Sequence, residues 1–149
     1  MVKLSTMDCY KPEWSWNNKI HYWIKKQLIG RTLHFPCGTS QIGDIRADAS
    51  EKVKPDIIAD LFKPLDYFKP FEFDTVLCDP PYHFYKEQAW IHQMAKIATK
   101  RFILRTPCVA IHLKRRVWVK NYHLMDYRAT YNLDLFQIFD RRNEFIVKP

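Results

Sequence analysis

Nothing in this sequence provides for a metal centre, a disulfide framework or a membrane-spanning helix. Its four cysteines, Cys9, Cys37, Cys78 and Cys108, include no Cys-x-x-Cys pair, and its six histidines are scattered. Structural zinc needs closely spaced thiolates and imidazoles, and small secreted folds need dense cysteine networks, so neither class is indicated and no metal ligand is assigned. Cys37 and Cys78 sit in apolar strand contexts, where a buried reduced thiol is expected. No apolar run reaches eighteen residues, and Met1-Val2-Lys3-Leu4-Ser5-Thr6 lacks the apolar core of a signal peptide. A soluble, cytoplasmic protein with no membrane partner is expected. Repeats, low-complexity tracts and linkers are also lacking. With 149 residues, the chain reads as one domain, 1–149, large enough for a core but not for a second one.

What is abundant is positive charge, and it is unevenly placed. The formal net charge is +8. Residues 101–149 hold ten Lys/Arg against four Asp/Glu, whereas 31–100 hold nine against ten. A basic C-terminal third suits a polyanion such as DNA or RNA, whose phosphates supply most of the binding affinity. Lys114, Arg115, Arg116, Arg141 and Arg142 are the candidate nucleic-acid contacts. The plainer alternative is a solvated face that serves solubility.

Residues 1–30 read as an N-terminal segment followed by a helix. Ser15 is a good N-cap, Trp16, Ile20, Trp23, Ile24 and Leu28 recur at helical spacing, and Gly30 follows as a C-cap. Arg31 to Gly38 reads as a first strand running into a glycine turn, Ile45 to Asp48 as a second strand and Asp56 to Asp60 as a third. A parallel crossover normally needs a dozen residues and a helix. The connections here are too short, so the sheet is expected to keep its strands while its helices shrink to turns. Leu61 to Pro70 reads as a loop with one helical turn, Tyr85 to Thr99 as the best helix, and Arg101 to Arg105 as a fifth strand. A basic helix over Ala110 to Asn121 and an antiparallel pair, Tyr122 to Tyr131 with Leu133 to Asp140, complete the chain.

The central stretch is Phe73 to Phe84. Thr75 to Cys78 is short and rich in β-formers, as a strand buried on both faces should be, and it stops at Asp79-Pro80-Pro81-Tyr82. Prolines cannot donate to a ladder and push the preceding residue toward extended geometry, which leaves Asp79 at the strand's carboxyl end. Ligands bind at that end of open α/β sheets. The chemistry invited is methylation of a conjugated amine. Its lone pair is delocalised into the ring, and two acceptors aimed at its hydrogens, the Asp79 carboxylate and the Pro80 carbonyl, would localise it. Tyr82 offers a face on which an extruded base can stack. A Pro-rich turn after a core strand is the alternative. The preceding strand ends add a Gly38–Gly43 loop for close backbone approach, Asp48 suited to ribose hydroxyls and Asp60 suited to an adenine amine.

The sequence of glycine turn, Asp48, Asp60 and Asp79-Pro80-Pro81-Tyr82 resembles the class I S-adenosylmethionine-dependent methyltransferases over about residues 31–140. Within these it is similar to the amino-methyltransferases of nucleic acids that carry a DPPY motif, the DNA adenine-N6 and cytosine-N4 enzymes and some RNA base-amine enzymes. It most resembles small stand-alone methyltransferase-like proteins of archaea and their viruses, in which Phe35-Pro36-Cys37-Gly38 and Asp56-Ile57-Ile58-Ala59-Asp60 fall at corresponding places. In a viral setting the location would be the host cytoplasm. The resemblance implies an α/β fold: a single Rossmann-like methyltransferase sheet, mostly parallel, with a C-terminal antiparallel hairpin and reduced helices between the first three strands. It implies S-adenosylmethionine as cofactor, bound by Phe35, Pro36, Cys37, Gly38, Asp48, Asp60 and Leu61, with Cys37 and Gly38 at the methionine moiety, Asp48 at the ribose and Asp60 at the adenine. Asp79, Pro80, Pro81 and Tyr82 would act on the target amine, adenine N6 in DNA. Alternatives are cytosine N4, an RNA base amine, or a non-catalytic nucleic-acid-binding subunit. Only Gly38 is in register with the family's Phe-x-Gly-x-Gly loop, and 149 residues leave no room for a target-recognition domain. Thin helical cover on one face predicts a homodimer.

Overall fold

The structure, a computed structural model, describes residues 18–81, 84, 88–107, 111–127 and 133–145, with backbone alone at 107, 121–127, 133, 134 and 145. Among the described residues seven strands form one sheet. They are β1 (Thr32–His34), β2 (Ile45–Asp48), β3 (Ile57–Ile58), β4 (Phe73–Cys78), β5 (Ala98–Pro107), β6 (Trp118–Tyr127) and β7 (Leu133–Arg141). Their order is β3-β2-β1-β4-β5-β7-β6. The first five pair in parallel, and β7 lies antiparallel between β5 and β6. A mostly parallel α/β sheet with a C-terminal antiparallel hairpin is therefore what the chain builds.

β4 runs through the middle, and Val76, Leu77 and Cys78 are fully enclosed, as a strand covered on both faces must be. One face is covered by α2 (Ala89–Ile97) and a 3-10 turn at Pro64–Asp66. Trp90, Ile91, Met94 and Ile97 pack there with Leu33, Phe35, Val76, Cys78, Phe102 and Leu104. The other face receives α1 (Asn18–Gln27), whose Ile20 and Ile24 meet Ile42, Leu77, Ile103, Phe136 and Ile138. Each such isoleucine contributes about 1.5–3 kcal/mol on burial.

The missing crossover helices have a structural substitute. Between β1 and β2 there is no helix, and between β2 and β3 only a 3-10 turn at Glu51–Val53. Asp44 accepts the Thr32 amide on Oδ2 at 2.7 Å and donates its own amide to the Thr32 carbonyl at 2.9 Å. Asp56 does the same for Arg46, with both contacts at 2.8 Å. Carboxylates thus prolong the ladder past strands of only two to four residues, so the sheet edge holds with little helical cover.

Two elements differ from the sequence expectation. Instead of a helix over Ala110 to Asn121, residues 111–114 are irregular, 115–117 form a turn and Trp118 already belongs to β6. Trp118 and Val119 are β-formers and pair with Arg141 and Asp140, so ladder pairing overrides the helical spacing of the basic residues. The helix expected over Tyr85 to Thr99 ends at Ile97, because Ala98 pairs with Phe73 as the first residue of β5. Ser15, Trp16 and residues 85–87 lie outside the described residues.

The strands define two edges. The lower edge, at the amino ends of the parallel strands, holds the end of α1. There Arg101 binds the Gln27 carbonyl at 2.7 Å and Asp140 through two contacts of 2.6 and 3.0 Å. Gly30 adopts φ +60, where a Cβ would run into the Asp74 carboxylate. That carboxylate accepts the Arg31 amide at 2.9 Å and pairs with Lys100 at 2.9 Å. The upper edge, at the carboxyl ends, holds the residues singled out for chemistry.

Candidate active site

β1 leaves the sheet at the upper edge through a cis Phe35–Pro36 bond. Phe35 and Cys37 are buried, and Phe35 meets Phe68 edge-on at 5.9 Å. Core packing therefore takes these side chains, and the backbone turn at Gly38 is what reaches the rim. Gly38 has φ +52, a left-handed conformation that a side chain would strain. The turn is fixed by Asp48 at the end of β2. Its Oδ2 accepts the Gly38 amide at 2.9 Å and its Oδ1 the Ser50 amide at 3.0 Å. Only 1% of Asp48 is exposed, so its carboxylate shapes the loop from within. Burial, with the Asp48 charge adding to it, pushes the Cys37 thiol up to about 12. The thiol stays protonated and points its hydrogen at the Gly38 carbonyl, 3.4 Å away.

After β3, Asp60 turns the chain: its Oδ1 accepts the Phe62 amide at 2.9 Å and its carbonyl the Lys63 amide at 3.1 Å. Asp60 is half-buried, while Leu61 points into the core. Phe62, 39% exposed, meets Phe84 edge-on at 4.7 Å. Phe84 donates its amide to the Pro81 carbonyl at 3.1 Å and accepts the Trp90 indole at 2.9 Å. The loops after β3 and β4 are thereby stapled to each other and to α2.

Asp79 follows β4 and extends its alternation, so it shares the α1 side of the sheet with Leu77. β5 is in register with β4, Cys78 opposite Leu104, which sets Arg105 beside Asp79. Arg105 Nη1 lies 2.6 Å from Asp79 Oδ1, and the two side chains are 7% and 9% exposed. A carboxylate this enclosed needs a bound cation or donor to stay ionised, and Arg105 is that cation. Sequence reasoning missed Arg105. Its signal was a lone arginine closing the apolar strand Phe102-Ile103-Leu104. Pro80 is buried and Pro81 half-buried; Tyr82 lies outside the described residues.

The upper edge thus collects Gly38, Asp48, Asp60, Asp79, Pro80, Pro81 and Arg105. It does not collect the basic candidates. Lys114, Arg115 and Arg116 immediately precede β6, and Arg142 follows the end of β7, all at the lower edge. The Arg142 amide donates to the Val117 carbonyl at 2.8 Å and its Nε to the Arg115 carbonyl at 3.0 Å. At about 3.3 Å per residue, this cluster stands roughly 20 Å from Asp79 along the strands. Arg141 is turned inward, 9% exposed, stacked 4.3 Å from the Trp118 ring and bonded to the Ala98 carbonyl at 2.8 Å. No group of three or more potential metal ligands occurs among the described residues, and no described helix is long and apolar enough to cross a membrane.

No protein-family model and no curated protein sequence matches the chain. Several solved structures do. Magnesium protoporphyrin IX methyltransferase of Synechocystis, with bound SAM, is 18% identical at a TM-score of 0.60, over 84% of this chain and 77% of that one. A conserved hypothetical protein of Streptococcus pyogenes is 14% identical at 0.58, over 85% and 96%. A candidate methylase of Haemophilus influenzae is 12% identical at 0.54, over 82% and 85%. Identities this low carry the fold: this chain has the Rossmann-like sheet of S-adenosylmethionine-dependent methyltransferases.

Proposed function

We propose that the chain is an S-adenosylmethionine-dependent methyltransferase of an exocyclic base amine, adenine N6 in DNA. The observation that carries this is Asp79, held at the carboxyl end of the central strand on the same sheet edge as the Gly38 turn and Asp60. The rim residues suit such a cofactor. Gly38 offers backbone without a side chain in the way, and Asp60 keeps Oδ2 without a partner among the described residues for an adenine amine. Asp48 contributes the shape of the loop rather than an open carboxylate. S-adenosylmethionine, when bound, supplies an electrophilic methyl group on a positively charged sulfur.

The chain's own residues then orient the nucleophile. Arg105 Nη1 donates to Asp79 Oδ1 at 2.6 Å, and since a carboxylate offers about four acceptor sites, the proposed role gives one of them to an amine hydrogen. The Pro80 carbonyl takes the second hydrogen, and Tyr82 stacks the flipped base. Orientation and fixed charge at such a site contribute on the order of several kcal/mol. No strong general base is required, because the amine proton becomes acidic once nitrogen is methylated. Cytosine N4 and RNA base amines present the same donor pair. Asp79→Ala is expected to abolish transfer while cofactor binding, read by isothermal titration, persists; full activity in that variant contradicts the role.

The enclosure of Asp48 favours one other reading, a non-catalytic methyltransferase-like subunit that presents nucleic acid to a partner. Titration with S-adenosylmethionine separates the two, since such a subunit binds none. A homodimer fits the thin cover of β3, where Ile58 is 51% exposed; a monomer mass in light scattering contradicts it.

A further inference from the structure

The lower edge carries a feature that methyl transfer does not use. Phe71 stands in the loop before β4 at φ +62, a left-handed conformation that is a true outlier for a bulky side chain. Its amide is held by the Lys96 carbonyl at 2.9 Å and its ring lies 4.9 Å from the Arg141 guanidinium, so the surroundings fix it there. The result is an aromatic ring 43% exposed, displayed at a strained position. Strain of this kind persists where the surrounding contacts over-determine it, and it gathers at binding sites.

Arg141 connects this ring to the basic cluster. Its guanidinium is stacked on Trp118 at the start of β6, so Phe71 adjoins the ends of β6 and β7. Lys69, Lys114, Arg115, Arg116 and Arg142 are all exposed, and none is ion-paired among the described residues. Arg142 is anchored through Nε to the Arg115 carbonyl, which leaves its two terminal nitrogens presented at the surface. A cleft of about 510 Å³ runs beside it, lined by Val119, Asp140, Arg141, Arg142, Asn143 and Glu144. Of the carboxylates on this rim, Asp74 is paired with Lys100 and Asp140 with Arg101, which leaves Glu72 and Glu144 exposed beside the five cations.

We propose that this rim is a binding surface for single-stranded nucleic acid. The arginines engage phosphates and Phe71 stacks a base, about 20 Å from the edge that carries Asp79. An exposed aromatic among arginines matches the pairing of stacking platform and cationic track that holds unpaired strands. A duplex offers no free base face to the ring, and arginine's planar fork suits phosphate. The surface shares with the proposed function only its class of partner, and binding is read without turnover.

The test is fluorescence anisotropy of the full chain with a labelled thirty-residue oligothymidylate, a mixed-sequence duplex and phosphatidylserine vesicles over a series of salt concentrations. Phe71→Ser is expected to weaken oligothymidylate binding about five-fold or more, consistent with loss of one stacked base, and to leave duplex binding unchanged. Arg115→Ala/Arg116→Ala/Arg142→Ala is expected to reduce the salt slope by roughly 2, at about 0.7 per single-strand phosphate contact. Lys52→Ala, exposed on the turn between β2 and β3, is expected to bind the oligonucleotide as the wild type does, and circular dichroism of each variant verifies the fold. Unchanged binding in folded rim variants overturns the assignment. So does an equal loss in Lys52→Ala, equal weakening on duplex, or a rim that answers only to vesicles. A chain that never transfers methyl groups but shows the expected rim effects refutes the proposed function and leaves this surface standing.

Discussion

Replacing Asp48 tests how the upper edge is built. Its carboxylate is 1% exposed and takes the Gly38 and Ser50 amides at 2.9 and 3.0 Å. Asp48→Ala leaves two part-buried amides without this acceptor, at the lower end of the roughly 1–3 kcal/mol that each would cost in full burial. A loss of about 2–3 kcal/mol is therefore expected. Asp48→Asn keeps one acceptor and turns an NH2 toward the other amide, so about half that loss is expected. Urea unfolding of the wild type and both variants gives the comparison. Titration with S-adenosylmethionine should weaken in the same order, because both variants release the Gly38 turn. A loss below about 1 kcal/mol in Asp48→Ala, or an Asp48→Asn variant worse than Asp48→Ala, refutes the view that this carboxylate builds the loop.

Arg105→Gln removes the cation beside the enclosed Asp79 carboxylate and is expected to lose about 3–5 kcal/mol, whereas Arg105→Gln/Asp79→Asn recovers much of it; additive losses in a double-mutant cycle by urea unfolding contradict the pairing. His34 is wholly buried with Nδ1 donating to the Ile42 carbonyl at 3.2 Å, and burial draws its pKa from 6.5 down to about 3. The unfolded chain binds that proton near 6.5 and the native state does not, so stability is intact above 6.5 and falls with pH below it, by at most about 1.4 kcal/mol per unit. Urea unfolding should show about 2 kcal/mol less stability at pH 5 than at pH 7, and His34→Asn should remove most of that slope; a wild type equally stable at both values contradicts it. Cys37 and Cys78 are buried with thiols raised by burial. In a Cys9→Ser/Cys108→Ser background both should resist Ellman's reagent at pH 8 until urea unfolds the chain, and fast labelling in the native state contradicts their enclosure.

Short-range chemistry in the sequence located the strands well. β2 spans Ile45–Asp48 as the apolar run and its acidic end suggest, and the missing crossover helices follow from connections too short to hold them. Asp60 and Asp79 reach one edge because parallel strands that end in a polar residue end on the same side. What the sequence hid depends on pairing between distant segments. Arg105 meets Asp79 only through the register of β4 with β5, and Trp118 leaves its helical pattern only because β7 is present to pair with it. The basic residues of the C-terminal third are close together in sequence, yet β7 runs antiparallel, so its end is delivered to the edge remote from Asp79. Asp48 shows a further limit: an acidic strand end suits a ribose, but here two amides of its own backbone claim it first.

The most direct test incubates the wild-type chain with S-adenosylmethionine labelled in the methyl group and separate DNA and RNA pools, followed by nucleoside analysis. Label in N6-methyladenine from DNA, absent with Asp79→Ala, is the predicted result. No label in any nucleoside from either pool above a protein-free blank contradicts the account.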